Sequence, residues 1–181
     1  MSASKATGRL PDERGSDPAP LLSGRKARIH LSVHPSAAAV ARGRLAHLLR
    51  EWGHDDLVET AQLVLTELVT NAGKATVGFY DLTGLTGVIS DDDHALLHRM
   101  LLASDESIEV DVYGSSDSIG LAVWDRVRTP PRLKEAGEND IGGRGLALIN
   151  ELAAGWGYGW PRTGGKLVWA TLAAPLAAPA S

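Results

Sequence analysis

Two rows of apolar residues at every second position, separated by a short turn, constrain the fold of this chain more than any other feature. The alternating apolar positions are Ile108, Val110 and Val112, then Ile119, Leu121 and Val123 after a turn near 114–117. A two-residue period is typical of strands with one buried face, and strands joined by a tight turn pair antiparallel. The same period places Asp125 on the inward face of the second strand, which therefore directs a carboxylate toward the layer covering the sheet.

Other periodic segments add helices and three more strands. Ser36 is a plausible N-cap for the first helix, and Gly53 is expected to end it. The predicted strands are 27–33, 156–160 and 166–172. The predicted helices are 36–52, a second helix capped by Asp55 or Asp56, and 143–154 after the long loop 126–142. The strand at 156–160 alternates aromatic residues with glycines, which predicts one aromatic face and one bare face.

This order of elements predicts an α+β fold. We expect a two-layer α/β sandwich with a mixed, mostly antiparallel sheet and three main helices on one face. The chain has 181 residues and is 44% hydrophobic, which fits one domain with tails. Residues 1–25 are polar and rich in Ser, Gly and Pro, and residues 174–181 are rich in Ala and Pro, so both are expected to be flexible. The folded domain then covers 26–173.

Composition narrows the class of protein. The formal net charge is −4 with both signs mixed, so we expect no direct contact with nucleic acid. The absence of cysteine excludes disulfides and thiolate metal sites, which fits a cytoplasmic protein. Residues 1–20 lack the apolar run of a signal peptide, and no stretch approaches the ~20 apolar residues of a membrane span, so we expect a soluble protein without membrane contact.

The second helix carries Glu67, Asn71 and Lys74 along the flank of an apolar stripe. The stripe consists of Ala61, Val64, Leu65, Leu68 and Ala72. At this border between core and solvent, a carboxylate can deprotonate an attacking hydroxyl, and an amide oxygen is a hard ligand suited to Mg²⁺. Lys74 lies one turn beyond Asn71 and can meet a phosphate. The alternative for all three is an ordinary solvated helix face.

Asp125 and a glycine-rich helix start are the next candidates. Asp125 ends an inward-facing apolar row and needs a partner; an adenine amino group suits it, because a carboxylate only accepts hydrogen bonds. Capping of the following turn is the alternative. Glycines at 142, 143 and 145 open the third helix, where bare backbone N–H groups favour a phosphate and Arg144 can add a charge-assisted contact. Taken alone, that pattern is more simply an ordinary helix start.

Two further candidates are weaker. Thr171 in the last strand can touch the base or its water, with a sheet-face threonine as the alternative. His94 and His98 are four residues apart on a predicted helix near 91–102 and form a possible metal pair. Because no third ligand accompanies them, surface histidines are favoured.

The order of these motifs resembles the ATP-binding fold shared by gyrase, histidine kinases and the mismatch-repair ATPases, the GHKL or Bergerat fold. Within it, the chain is most similar to the small bacterial anti-sigma factor serine kinases. Residues 65–72 (Leu-Thr-Glu-Leu-Val-Thr-Asn-Ala) are similar to the N box, 123–125 (Val-Trp-Asp) to the first glycine box, 143–148 (Gly-Arg-Gly-Leu-Ala-Leu) to the second, and 165–170 (Gly-Lys-Leu-Val-Trp-Ala) to the closing strand motif. The similarity covers roughly 27–173.

The resemblance implies a role for each motif. Asn71 would ligate Mg²⁺, Glu67 would be the catalytic base, and Asp125 would bind the adenine amino group of ATP. The second glycine box, with Gly143, Arg144, Gly145 and Leu146, would border a phosphate lid formed by 126–142. Family members phosphorylate a serine on an anti-anti-sigma partner with a STAS domain, and otherwise bind a sigma factor, typically as dimers. We therefore expect a Mg-ATP-dependent serine kinase, or alternatively a non-catalytic ATP-binding module that sequesters its partner.

Two departures from the family pattern bear on this choice. Family members usually carry glycines just after the first-box aspartate, whereas Arg126-Val127-Arg128-Thr129 follow here, and these bulkier residues favour the non-catalytic alternative. Residues 75–106 also form a longer link than usual. This insertion is expected to cover the site, form a dimer contact, dock a partner or simply be a tolerated surface insertion.

Overall fold

The computed structural model describes residues 24–84, 106–131 and 145–174, with side chains described only as far as Thr76 in the first range. In these ranges the strands are β1 (Arg25–Ser32), β2 (Ser107–Gly114), β3 (Ser118–Asp125), β4 (Gly155–Gly159) and β5 (Lys166–Ala173), and the α-helices are α1 (Ala37–Trp52), α2 (Val58–Gly84) and α3 (Gly145–Leu152). The predicted α+β class is confirmed.

The strands form one sheet in the order β1-β2-β3-β5-β4, and every neighbouring pair is antiparallel. The expectation of a mixed sheet is therefore wrong for the described strands. Ser32 at the end of β1 is opposite Ser107 at the start of β2, so β2 begins at the end of the sheet where β1 finished and runs in the opposite direction. The pairs β2–β3 and β4–β5 are joined by short turns, which also require antiparallel pairing.

The core lies between the inward face of this sheet and the helices. Its fully buried members include Leu45 and Leu49 of α1, Val64 and Leu65 of α2, Val110 and Val112 of β2, Ile119, Leu121 and Val123 of β3, and Ile149 of α3. Burial of this apolar area is the main force holding the two layers together. Trp156 and Tyr158 of β4 face the same core, so the predicted aromatic face is confirmed and covers the helix side. Trp124 and Trp169 are half-buried on the opposite face.

Helix boundaries follow from local backbone chemistry. Gly53 has a left-handed φ of 84° and ends α1 as predicted. Ser36 precedes α1 but does not cap it, because its hydroxyl lies 2.6 Å from His34 Nδ1. Asp55 lies inside a short 3₁₀ turn (Asp55–Leu57), so the expected aspartate cap of α2 is wrong. None of the helices in the described ranges has the length and apolar character needed to cross a bilayer.

The helix α2 continues to Gly84 and so forms the start of the 75–106 insertion. The helix predicted near 91–102, with His94 and His98, lies outside the described residues.

Candidate functional site

Glu67 and Asn71 lie on the flank of α2, where the predicted border between core and solvent falls. Both residues are half-buried, and their neighbours Leu68 and Ala72 are buried in the core. Spacing of four puts the carboxylate and the amide one turn apart on one helix face. Lys74 is exposed.

The first residue of α3, Gly145, lies next to Glu67 and Asn71. A Cβ built on Gly145 would overlap the Oε2 atom of Glu67 and would lie 3.5 Å from Asn71 Nδ2. The side-chain-free backbone of Gly145 therefore faces the Glu67 carboxylate and the Asn71 amide directly. Leu146, the next residue, is buried in the core and anchors α3. Gly143 and Arg144, the other predicted members of this motif, lie outside the described residues.

Asp125 ends β3 on the inward face, as the strand period predicts. Its side chain is 1% exposed, and its cross-strand partner in β5 is Lys166, which is also buried. Lys166 Nζ donates to Asp125 Oδ1 at 3.1 Å and to the Val127 carbonyl at 3.3 Å, while the Val127 N–H donates to Oδ1 at 2.9 Å. The carboxylate is thereby fixed on one side by two donors.

The second carboxylate oxygen of Asp125 is in a different situation. Oδ2 lies 3.0 Å from Lys166 Nζ in ion-pair contact, but it accepts no hydrogen bond of acceptable geometry from the described residues. Burial raises the pKa of Asp125 above its ordinary value, and the Lys166 ammonium and the Val127 N–H limit that rise. A buried carboxylate oxygen with free acceptor capacity suits an amino group, because such an oxygen is costly to leave without a donor.

Lys166 is the residue that sequence analysis missed. Its position has the same parity in β5 as Val168, Ala170 and Leu172, all of which are buried. A lysine at an inward-facing parity was the available signal. Its position opposite Asp125 depends on pairing between strands 41 residues apart, which local pattern does not reveal.

Thr171 is not brought to this site. In β5 it alternates with Ala170 and Leu172, so its side chain lies on the sheet face away from the helices, and its hydroxyl donates to the Gly155 carbonyl at 3.2 Å. In the described structure, the Thr171 hydroxyl links β5 to β4.

The residues after Asp125 differ in their surroundings. Arg126 has an exposed side chain that is ion-paired with the buried Glu106, and Arg128 is also exposed. Val127 is buried and donates its N–H to Asp125. Of residues 126–129, Val127 is therefore the one that hydrogen-bonds to the Asp125 side chain. Residues 132–142 of the expected lid lie outside the described residues.

A turn between β4 and β5 supports the site from the sheet edge. Trp124 Nε1 donates to the Gly164 carbonyl at 3.0 Å, and Trp160 Nε1 donates to the Arg128 carbonyl at 2.9 Å. Gly165 has φ 71° and packs against the Trp124 ring and the Asp125 carbonyl. This turn holds the beginning of β5, and with it Lys166, beside Asp125.

A pocket of about 300 Å³ lies elsewhere, at the turn between β2 and β3. Its lining includes Arg25, Trp52, His54 and Ser115. That turn is at the opposite end of β3 from Asp125, roughly 20 Å along the strand at ~3.3 Å per residue. It is separate from the candidate site.

The described side chains contain no group of three or more His, Asp or Glu residues arranged to hold a metal ion. The Asn71 amide oxygen and the Glu67 carboxylate are nevertheless the hard oxygen donors that Mg²⁺ accepts, and this ion often takes only one or two protein ligands. A scan against protein-family models finds no match, and a search of curated proteins finds none either.

Proposed function

We propose that this chain is a Mg-ATP-binding regulator of the GHKL type, which phosphorylates a serine on a STAS-domain partner and binds a sigma factor when that partner is absent. The motif order along the chain supports the family assignment. The observation that carries the proposal is the contact between Gly145 and the Glu67–Asn71 pair, because it joins two distant motifs into one polar surface. We further propose that the protein acts in the cytoplasm as a homodimer.

The described residues fit a magnesium nucleotide at two points. At Gly145, the missing side chain leaves the backbone at the start of α3 open toward Glu67 and Asn71, and a helix start of this kind favours a phosphate. At the sheet end, the buried Oδ2 of Asp125 has acceptor capacity for an amino group. Asn71 would hold the metal and Asp125 the base, while the bound magnesium triphosphate would supply the transferable phosphoryl group and neutralise its charge.

Glu67 has the chemistry of the base. Its carboxylate would take the proton of the serine hydroxyl as the hydroxyl oxygen forms its bond to phosphorus and the bond to the leaving diphosphate breaks. Positioning by Gly145 and Asn71 would hold this carboxylate at the reacting group. Simple nucleotide binding does not require a carboxylate at this position, so the presence of Glu67 favours catalysis.

The alternative function is an ATP-responsive module that sequesters a partner without transferring phosphate. The residues after Asp125 support it, because a buried valine, Val127, stands where glycine is expected and donates its N–H to Asp125.

Labelled ATP, Mg²⁺ and candidate STAS proteins separate the two functions. The kinase proposal predicts labelled phosphoserine on a STAS partner with the wild-type chain, and none with Glu67→Gln, although that variant still binds ATP. Transfer by Glu67→Gln at a rate comparable to wild type would remove Glu67 as the base. ATP binding by the wild-type chain without labelled serine on any partner would favour the sequestering module.

A further inference from the structure

The Lys166–Asp125 pair differs from an ordinary surface ion pair in its burial and in the number of contacts it makes. The side chains are 5% and 1% exposed, and the two residues face each other across β5 and β3. An ammonium group has three N–H donors and no acceptor. Placing it in the core is costly unless each donor is used.

The ammonium group of Lys166 contacts the Asp125 carboxylate and the Val127 backbone, and together these groups form a closed ring of contacts. Asp125 Oδ1 and the Val127 carbonyl accept hydrogen bonds, at 3.1 and 3.3 Å, and Asp125 Oδ2 lies 3.0 Å away in ion-pair contact. The Val127 N–H returns to Oδ1 at 2.9 Å. The ring fixes the carboxylate in one orientation and uses Oδ1 twice, which leaves Oδ2 with the remaining acceptor capacity.

We propose that Lys166 is a specificity-determining residue, which keeps the Asp125 carboxylate negatively charged and oriented so that Oδ2 accepts a hydrogen bond from the amino group of a 6-aminopurine nucleotide and rejects a 6-oxopurine. The inference rests on the proposed nucleotide site. It assigns to this chain's own lysine the discrimination between the two purine classes.

The discrimination depends on whether the Asp125 carboxyl group is charged or protonated. A charged carboxylate only accepts hydrogen bonds, so it pairs with a 6-amino group and opposes a 6-oxo group. A neutral carboxyl can also donate, and would tolerate either group. Burial favours the neutral form of Asp125 by raising its pKa, and among the described residues Lys166 is the charged side chain that opposes this rise.

The experiment compares ATP with inosine triphosphate, whose base has a 6-oxo group in place of the 6-amino group and carries a proton on N1. Calorimetry at neutral and at mildly acidic pH gives the affinity ratio for the wild type and for Lys166→Met, a neutral side chain of similar length. The wild type should prefer ATP by roughly tenfold or more at both pH values. In Lys166→Met the preference should fall, most of all at acidic pH, and approach that of Asp125→Asn, whose amide imitates a neutral carboxyl.

A ratio in Lys166→Met equal to that of the wild type at both pH values would overturn the inference while leaving the nucleotide site intact. If the wild type binds neither nucleotide, the proposed function itself fails, and the inference with it. The two failures are therefore distinguishable.

A measurement on the wild-type protein covers the case in which Lys166→Met does not fold. Carbon-13 NMR of the Asp125 carboxyl should show the charged form at neutral pH, both free and with ATP bound, and Lys166 Nζ should remain in contact with it in the ATP complex. A protonated carboxyl at neutral pH, or displacement of Lys166 by ATP, would overturn the inference.

Discussion

The backbone of Gly145 lies so close to Glu67 that a side chain at residue 145 would require the Glu67 carboxylate to move. A Cβ added there would overlap Oε2 of the Glu67 carboxylate. The polar flank of α2 and the start of α3 therefore touch through bare backbone, beside a core in which these helices bury apolar side chains such as Leu65 and Ile149.

Substituting Gly145→Ala is expected to damage the site without unfolding the protein. Alanine is compatible with a helix start, but its methyl group displaces the Glu67 carboxylate. We predict at least a tenfold loss of ATP affinity, or of serine transfer, measured by calorimetry and by phosphate labelling; a tenfold loss corresponds to ~1.4 kcal/mol.

The matched control is Gly43→Ala in α1, where an added Cβ meets nothing within 4 Å. That variant should gain about 0.5–1 kcal/mol of stability and keep its ATP affinity. Wild-type binding and transfer in Gly145→Ala would show that Glu67 is not held by this contact.

Removal of Lys166 should destabilise the fold in a pH-dependent way. Lys166→Met leaves the buried Asp125 without its cation, which costs about 3–5 kcal/mol when the carboxylate stays charged. The folded-state pKa of Asp125 is raised, so its contribution favours folding at acid pH and is lost as pH rises from the unfolded pKa through the folded pKa. Removing Lys166 raises that pKa further.

The stability deficit of Lys166→Met relative to wild type should therefore shrink as pH falls, as measured by denaturant unfolding across a pH series. The double variant Asp125→Asn, Lys166→Met, which removes both charges, should recover part of the loss. A deficit that is constant with pH would mean that removing Lys166 does not change the pKa of Asp125 in the folded state.

Asp111 on β2 should show the opposite pH dependence. Arg28 donates to its two oxygens at 2.6 and 2.7 Å, and Lys26 Nζ lies 3.4 Å away. Desolvation raises the pKa of Asp111, but the hydrogen bond from Arg28 and the two positive charges outweigh it, so the net pKa is lowered. Its stabilising contribution is present above the unfolded pKa and is lost as pH falls through the folded pKa.

Asp111→Asn should cost about 1 kcal/mol or less at neutral pH, because the Arg28 side chain is 46% exposed and water screens the pair. The difference from wild type should disappear in acid, where the wild-type carboxyl is protonated. Chemical unfolding at several pH values measures this, and a loss that persists in acid would assign the effect to packing.

The turn before β5 offers a matched pair of glycines. Gly164 has φ 94° with open space around it, whereas Gly165 has φ 71° and faces the Trp124 indole, whose Nε1 would be 2.6 Å from an added Cβ. Gly164→Ala should cost only the left-handed backbone strain of about 1–2 kcal/mol. Gly165→Ala should cost more and should also weaken nucleotide binding, because it displaces the segment that positions Lys166. Equal losses in the two variants would contradict this.

Local periodicity was sufficient to predict which faces Glu67, Asn71 and Asp125 occupy. The 3.6-residue stripe placed the first two at the border of α2, and the two-residue period placed Asp125 on the inward face of β3. These predictions succeed because the apolar stripe of α2 leaves a polar flank, and because the larger aliphatic side chains of β3, Ile119, Leu121 and Val123, share one face with Asp125.

Prediction is weaker in β5, where both faces are apolar. Leu167 and Trp169 occupy one face and Val168, Ala170 and Leu172 the other, so the pattern does not identify the inward one. The face of Thr171 and the burial of Lys166 depend on pairing with β3, a long-range contact that no local window contains. Asp55 was misassigned for a different reason, because the chain inserts a 3₁₀ turn before α2.

The most direct test of the account is calorimetric titration of ATP, with and without Mg²⁺, into the wild-type chain and into Asn71→Ala and Asp125→Ala. The account predicts binding that strengthens with Mg²⁺, loss of that magnesium dependence in Asn71→Ala, and a fall in affinity of roughly tenfold or more in Asp125→Ala. Binding of the same strength in all three proteins, or none in the wild type, would contradict a nucleotide site built from these residues.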